Sequence, residues 1–199
     1  MAVSRDNSYQ ALAGYLKALT ETGTAETITG LTVNEFVEDN VHRTQFVFAD
    51  VDVALTDEAG VVAYAGKQLY TFPTGYQVVV NAIADLDITK SSAGVNDDAD
   101  GDFSVGTVTA SNNGTLSSTE ANIIASTAMA QMVSGATAAD GSSTSSETPA
   151  LYNGSSTEIE LFLNFLIDDA DHDVTGTACN LIVNGTLDVS WINFGTFTD

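Results

Sequence analysis

Along much of the chain apolar residues recur at every second position, the period of a β-strand whose two faces meet different surroundings. Between Glu158 and Asp168 the odd positions are Ile159, Leu161, Leu163, Phe165 and Ile167, while the even ones mix Glu158, Glu160, Phe162, Asn164, Leu166 and Asp168. One wholly apolar face predicts a strand laid on a core. Tyr76 to Thr89 repeats the pattern, with Tyr76, Val78, Val80, Ala82, Ala84, Leu86 and Ile88 on one face. In Thr44 to Leu55 the shared face is Val47, Ala49, Val51, Val53 and Leu55. Phe46 and Phe48 lie opposite, which predicts cover on both sides where that strand begins.

The C-terminal run "CNLIVNGTLDVSWINF" sets two signals against each other. Asn184-Gly185 is a strong hairpin dipeptide. A two-residue turn there would pair Leu181 with Asp188 and mix polar with apolar groups on both faces. Read as one strand, Leu181, Val183, Gly185, Leu187, Val189 and Trp191 share a face. A slip of one residue would turn that whole set over, so the alternation outweighs the dipeptide. The expectation is one long strand, with Gly185 at a bulge or a close backbone approach.

Punctuation supplies the rest. "DEAG" at 57–60 predicts a tight turn from strand 44–56 into strand 61–72, and "PTG" at 73–75 a second turn. Strands are expected near 26–36, at Phe103–Ala110 and at Ala121–Ala128, with a turn in "NNGT" at 112–115. The small, polar stretch Gly135–Thr148 reads as a long exposed loop. One helical spacing stands out: Leu12, Tyr15, Leu16 and Leu19 follow i, i+3, i+4, i+7. So short a helix is marginal before it packs. About eight strands with Gly/Asn/Asp turns predict an all-β fold, an antiparallel β-sandwich of jelly-roll-like form with an N-terminal arm or short helix. Residues 1–40 would be the arm and first strand, and residues 41–199 the sandwich.

Charge narrows the partners. The 199 residues hold 5 Lys+Arg against 27 Asp+Glu, a formal net charge of −22. The last cation is Lys90, and fifteen acids follow it. Nucleic-acid binding needs cations to displace counterions from phosphates, and an anionic membrane repels the chain for the same reason. No nucleic acid and no membrane are therefore expected as partners. The opening "MAVSRDNSYQ" has no apolar core, so no secretory signal is expected, and no run approaches the ~20 apolar residues of a membrane helix. The single cysteine, Cys179, excludes an intrachain disulfide and reads as a small buried hydrophobe.

Candidate chemistry is sparse. In "GVNDDADGDFSV" the residues Asn96, Asp98, Asp100 and Gly101 match the first half of a calcium loop, but Thr107 stands where a bidentate Glu is wanted. "DDADHD" at 168–173 adds Asp169, Asp171 and Asp173. Two such loops at one end of a sandwich would share a calcium ion. Solvated loops that repel one another are the simpler reading, and no other cofactor is expected. Only His42 and His172 exist, with no G-x-S-x-G, H-E-x-x-H or P-loop, so no enzyme activity is expected. Asn113, Asn153 and Asn184 head glycosylation triplets, which without a secretory signal read as turn or strand chemistry.

Three segments, "DVDVALTDEAGVVAYAGKQLYTFP", "LDITKSSAGVNDDADGDFSVGTVTASNN" and "LFLNFLIDDADHDVTGTACNLIVNGTLDVSWINFG", resemble a family of small virion proteins of tailed bacteriophages, marine and cyanobacterial ones included. The likeness covers most of the chain after residue 44. It implies a capsid decoration (cement) protein: a β-rich homo-oligomer, often a trimer, that binds the major capsid protein on the outer surface of the head. Such a protein is made in the host cytoplasm and ends on the virion. It carries no catalytic motif. Contact with the shell or a neighbour is expected from residues Arg5, Leu12, Tyr15, Leu16, Lys17 and Leu19. The alternative is a head-fibre or receptor/carbohydrate-binding β module, calcium-dependent through the acidic loops.

Overall fold

The C-terminal run is one uninterrupted strand, and the second sheet is built around it. A computed structural model describes residues 19–58, 62–90, 101–129, 139–144, 150–167 and 179–196, with Val95 and Ala99. Among these, twelve strands form: β1 (Thr24–Ala25), β2 (Leu31–Glu38), β3 (Val41–Ala54), β4 (Thr56–Glu58), β5 (Val62–Thr71), β6 (Tyr76–Lys90), β7 (Gly101–Gly106), β8 (Ile124–Met129), β9 (Ala139–Thr144), β10 (Ala150–Asn153), β11 (Glu160–Ile167) and β12 (Asn180–Asn193).

The first sheet runs β1-β5-β11-β7-β8, with β4 also on β5; the second runs β10-β6-β12-β3-β2, with β9 also on β6. All the pairings are antiparallel. β9 and β10 pair with successive stretches of the same edge of β6, at 83–88 and 76–79, and so act as one interrupted strand. Counting them together gives β3-β12-β6-β9/β10 facing β5-β11-β7-β8, with the chain crossing repeatedly between sheets. That is the strand order of a jelly roll. β2 extends one edge of the second sheet.

One apolar layer lies between the sheets. β12 gives it Leu181, Val183, Leu187, Val189 and Trp191, all essentially inaccessible. β11 gives it Leu161, Leu163, Phe165 and Ile167. At one end it becomes aromatic: Phe46, Tyr70, Phe72 and Trp191 meet edge to face in sequence, with ring centroids 6.0, 5.3 and 5.2 Å apart. Cys179 is buried, in the place of a small hydrophobe.

Gly185 combines both roles expected of it. Its φ is +110, and a Cβ there would collide with the carbonyl oxygen of Asp85. It also sits beside a bulge on β3. Val183 pairs with Val51 and Gly185 with Phe48, so Ala49 and Asp50 together oppose Asn184. Asn184 fills the gap: its Oδ1 accepts the Asp50 amide at 2.8 Å, and its Nδ2 donates to Asp50 Oδ1 at 3.1 Å. The other two triplet asparagines close turns, accepting the amides of Thr115 and Ser155, each at 3.1 Å.

Bulges correct two of the expected strand faces. The alternation predicted for residues 44–55 holds at Val51 and Val53 but inverts before the Ala49–Asp50 bulge. There Thr44, Phe46 and Phe48 are the buried set, while Ala49 is exposed. In β6 the predicted face holds for Ala82, Ala84, Leu86 and Ile88. Ser190 pairs with Asn81 and Trp191 with Val79, so Val80 is an extra residue. Ahead of it Gln77 and Val79 point inward, and Val80 is 40% exposed. An inserted residue moves the chain by half of a two-residue period, so each bulge exchanges the faces.

Three boundaries also differ. Strand 44–56 divides at Leu55: β3 belongs to the second sheet, whereas β4 pairs with β5 in the first. The strand expected to reach Ala110 ends at Gly106. The stretch read as an exposed loop at 135–148 contains β9. The helix expected around Leu12–Leu19 lies outside the described residues apart from Leu19.

Candidate functional site

β11 is buried on both faces, and the chain after β7 explains why. Residues 107–121 cross the outside of the first sheet, where Ala110 and Leu116 pack on Val62, Leu166 and Tyr64. Asn164 is the polar pin of this cover. Its Oδ1 accepts the Ala110 amide at 2.8 Å, and its Nδ2 donates to the carbonyls of Val108 at 3.0 Å and Glu120 at 2.7 Å. Glu120, itself buried, accepts from Ser111 Oγ at 2.7 Å. The sequence signal was a lone Asn within "LFLNFLI": a buried amide stays only where its hydrogen bonds are met. Over β11 the first sheet's outer face is thereby covered.

The second sheet's outer face is open at one end. Outward alternation there places Leu151 opposite Val78, Val78 opposite Ile192, and Ile192 opposite Val41. These four side chains form a row across β10, β6, β12 and β3. Glu38 of β2 stands opposite Val41 and ends the row. Leu151 is 64% exposed, Val41 49% and the neighbouring Phe36 52%. A hollow of about 420 Å³ on one side is lined by Tyr76, Val78, Leu151 and Phe194. A smaller one of about 300 Å³ lies by Phe36, Val41, Arg43 and Ser190. The Arg43 guanidinium sits 5.6 Å from the Phe36 ring centroid and pairs with Asp188 at 2.7 Å. So exposed an ion pair contributes at most about 1 kcal/mol. Among the described residues the strip offers exposed apolar area beside the Arg43–Asp188 ion pair.

On the inner side of the same end lies a titratable network. Trp191 Nε1 donates to Thr44 Oγ1 at 2.9 Å, and Thr44 Oγ1 donates to Glu35 Oε1 at 3.1 Å. Burial raises the Glu35 pKa, opposed by hydrogen bonds from the Tyr70 and Thr44 hydroxyls. Burial, and next the Glu35 carboxylate, drive the Tyr70 hydroxyl well above its ordinary value. His42 donates from Nε2 to the Leu19 carbonyl at 2.9 Å, and its Nδ1 is buried without a partner. Burial lowers its pKa. A hydrolytic histidine needs a carboxylate on one nitrogen and a nucleophile on the other. His42 has a backbone carbonyl on one and none of the described groups on the other.

Of the expected contact residues, Leu19 is described, half-buried with its carbonyl on His42. Arg5, Leu12, Tyr15, Leu16 and Lys17 lie outside the described residues, as do Asp98, Asp100, Asp169, Asp171 and Asp173. Of the first acidic loop, Gly101 and Asp102 open β7, and Val95 and Ala99 are also described. Val95 and Ala99 are buried in the intersheet core, and Lys90 Nζ donates to the Val95 carbonyl at 2.7 Å. Among the described residues no three metal-ligating side chains come together. No helix among them is long and apolar enough to cross a membrane.

No protein-family model, no curated protein and no solved structure matches the chain.

Proposed function

We propose that this chain is a structural virion protein, a capsid decoration protein that binds the major capsid protein on the outer surface of a tailed-phage head and stabilises the shell. The observation that supports this best is the apolar strip across β10, β6, β12 and β3 on a molecule of net charge −22. Its flat form suits another protein surface, and its surroundings repel polyanions. The resemblance in residues 50–73, 86–113 and 161–195 names the virion setting, and a jelly roll is an architecture that capsid proteins use. Attachment combines the strip with the N-terminal residues Arg5, Leu12, Tyr15, Leu16, Lys17 and Leu19, in a homo-oligomer, with a trimer the form the resemblance implies. Repetition over many copies turns a weak single contact into a durable one.

The test is reconstitution on phage heads that lack this protein. Added chain should cosediment with the heads and raise their melting temperature, and a chain without residues 1–25 should do neither. Failure of the intact chain to bind, or binding with no change in shell stability, would refute the proposal.

A further inference from the structure

Among the described residues, three of the sandwich's four sheet edges are short or broken. β1 and β4, of two and three residues, share the edge of β5. β8 carries a register shift against β7, and β9 and β10 divide one edge of β6 between them. The fourth edge is β2. Its eight residues pair with β3 in one unbroken register, and no described strand lies on its other side. Sheet edges are ordinarily guarded by Lys, Pro, a bulge or brevity. β2 has none of these.

The direction of its backbone groups follows from one hydrogen bond. The Ala49 amide donates to the Gly30 carbonyl at 2.8 Å. Gly30 and Ala49 are therefore a hydrogen-bonded pair, and in an antiparallel ladder such pairs recur at every second residue. Thr32, Asn34, Phe36 and Glu38 turn their amides and carbonyls to β3. Val33, Glu35 and Val37 turn theirs to the open edge. The side chains there are apolar and acidic. Phe36 and Val37, on opposite faces of β2, are both exposed. Glu35 faces inward with Oε1 on Thr44, and its Oε2 is buried with no hydrogen-bond partner among the described residues. Residues 31–39 hold Glu35, Glu38 and Asp39 and no cation. Arg43 on the next strand is engaged by Asp188.

We infer that the open edge of β2 takes up an extended, basic strand of a partner protein, with apolar residues beside Phe36 and Val37 and cations beside Glu35 and Glu38. A row of outward amides and carbonyls binds a strand through its main chain, and alternate side chains select which strand. Opposite charges facing one another across two strands add to the pairing. A cation beside Glu35 would also meet the carboxylate oxygen that lacks a partner. A second copy would instead bring up an edge with the same three acids, on a body of −22. The added strand continues the second sheet past Glu38 by about 4.8 Å and leaves the apolar strip uncovered. This inference needs only a basic extended segment and stands apart from the virion reading.

The probe is the synthetic peptide acetyl-Lys-Val-Val-Lys-Thr-Val-Thr-Val-amide, which lies antiparallel to β2 with its lysines opposite Glu38 and Glu35. Added in excess to the full-length protein, it should slow amide exchange at Val33, Glu35 and Val37 at least about tenfold. Thr32, Asn34 and Phe36, already bonded to β3, should change less. The same peptide N-methylated at its second, fourth and sixth residues keeps its charge but loses the donors that face β2, and it should protect nothing. Protection by neither peptide overturns the inference, and so does equal protection by both, which would mean that charge alone recruits them. Val37→Pro tests the edge from the other side. It removes an outward donor without breaking a bond to β3, so Trp191 fluorescence should be unchanged while peptide affinity falls at least about tenfold. Undiminished binding would overturn the inference. Protection of the same three amides in the protein alone, rising with its concentration, would place a second copy on the edge and also overturn it.

Discussion

The imidazole of His42 lies flat on the indole of Trp191, with ring centroids 3.9 Å apart and planes 17° from parallel. The hydrogen bond from Nε2–H to Leu19 fixes the neutral tautomer and leaves Nδ1 bare in the core. A second proton would go to Nδ1, among groups that do not accept it. The folded-state pKa therefore lies below the usual 6.5, and burial is the largest cause. Above pH 6.5 both folded and unfolded chains hold His42 neutral, so no penalty arises. Between 6.5 and the lower folded value the unfolded chain takes up a proton that the folded chain refuses, and stability falls as pH falls. Urea midpoints read by Trp191 fluorescence should drop from pH 7.5 to 5.5, and His42→Phe, which keeps a ring on the indole, should flatten that slope.

Glu35 acts in the opposite direction. Its folded pKa is raised, chiefly by burial, above the usual 4.5. The cost of its charge is fully present above the folded pKa and disappears as pH falls to 4.5. Glu35→Gln should therefore gain stability relative to the parent at neutral pH, and the gain should shrink in acid. Matched urea titrations at pH 7 and pH 4.5 check this.

Thr44 is the acceptor for the only indole in the chain. Thr44→Val keeps the shape and removes the oxygen, leaving a buried N–H without a partner. The expected loss is about 1–3 kcal/mol, measured as a shift in urea midpoint at constant slope.

Asn164 satisfies one amide and two carbonyls of the cover on the first sheet. Asn164→Leu should cost about 1–3 kcal/mol, chiefly because the buried Ala110 amide loses its acceptor, while the Glu120 carbonyl keeps the Ser104 hydroxyl. Amide exchange at Ala110 should accelerate further than at β11 itself. Asn164→Asp keeps the acceptor for Ala110 but aims a carboxylate at two carbonyl oxygens, and should be worse at pH 7 than at pH 3.

Two glycines with positive φ separate backbone strain from crowding. Gly114, at φ +75, has open space where a Cβ would stand, whereas at Gly185, with φ +110, the Asp85 carbonyl occupies it. Gly114→Ala should cost about 1–2 kcal/mol from the left-handed backbone alone. Gly185→Ala should cost clearly more, because the pairing of β12 with β6 must also open. Thermal melts of the two variants decide it.

The strands were legible where alternation ran unbroken. Leu181 to Trp191 could be read as a single strand against its own hairpin dipeptide, because the apolar face survived the whole length. The faces of β3 and β6 were legible only in their second halves. The bulge at Ala49–Asp50 is fixed by Asn184, 134 positions from Asp50, and the extra residue Val80 by its pairing with β12. No local pattern announces either. β9 escaped because Ala139–Thr144 joins the sheet through backbone pairing to β6, and its small polar composition carries no period. The apolar strip escaped for a related reason. Leu151, Val78, Ile192 and Val41 come from four distant segments, and only the register sets them side by side.

The same register has a consequence for how the protein is made. Thr44 and its partner Trp191 are separated by 147 positions, and β12 fills the middle of its sheet between β3 and β6. On the ribosome, β3 and β6 must wait with unpaired edges until residues 180–193 have been synthesised. Closure then joins ends that are far apart along the chain, which makes folding slow and leaves the waiting strands open to wrong partners. A nascent chain cut short before residue 180 has no native form of this sheet to adopt, so truncated products are fated for aggregation or degradation.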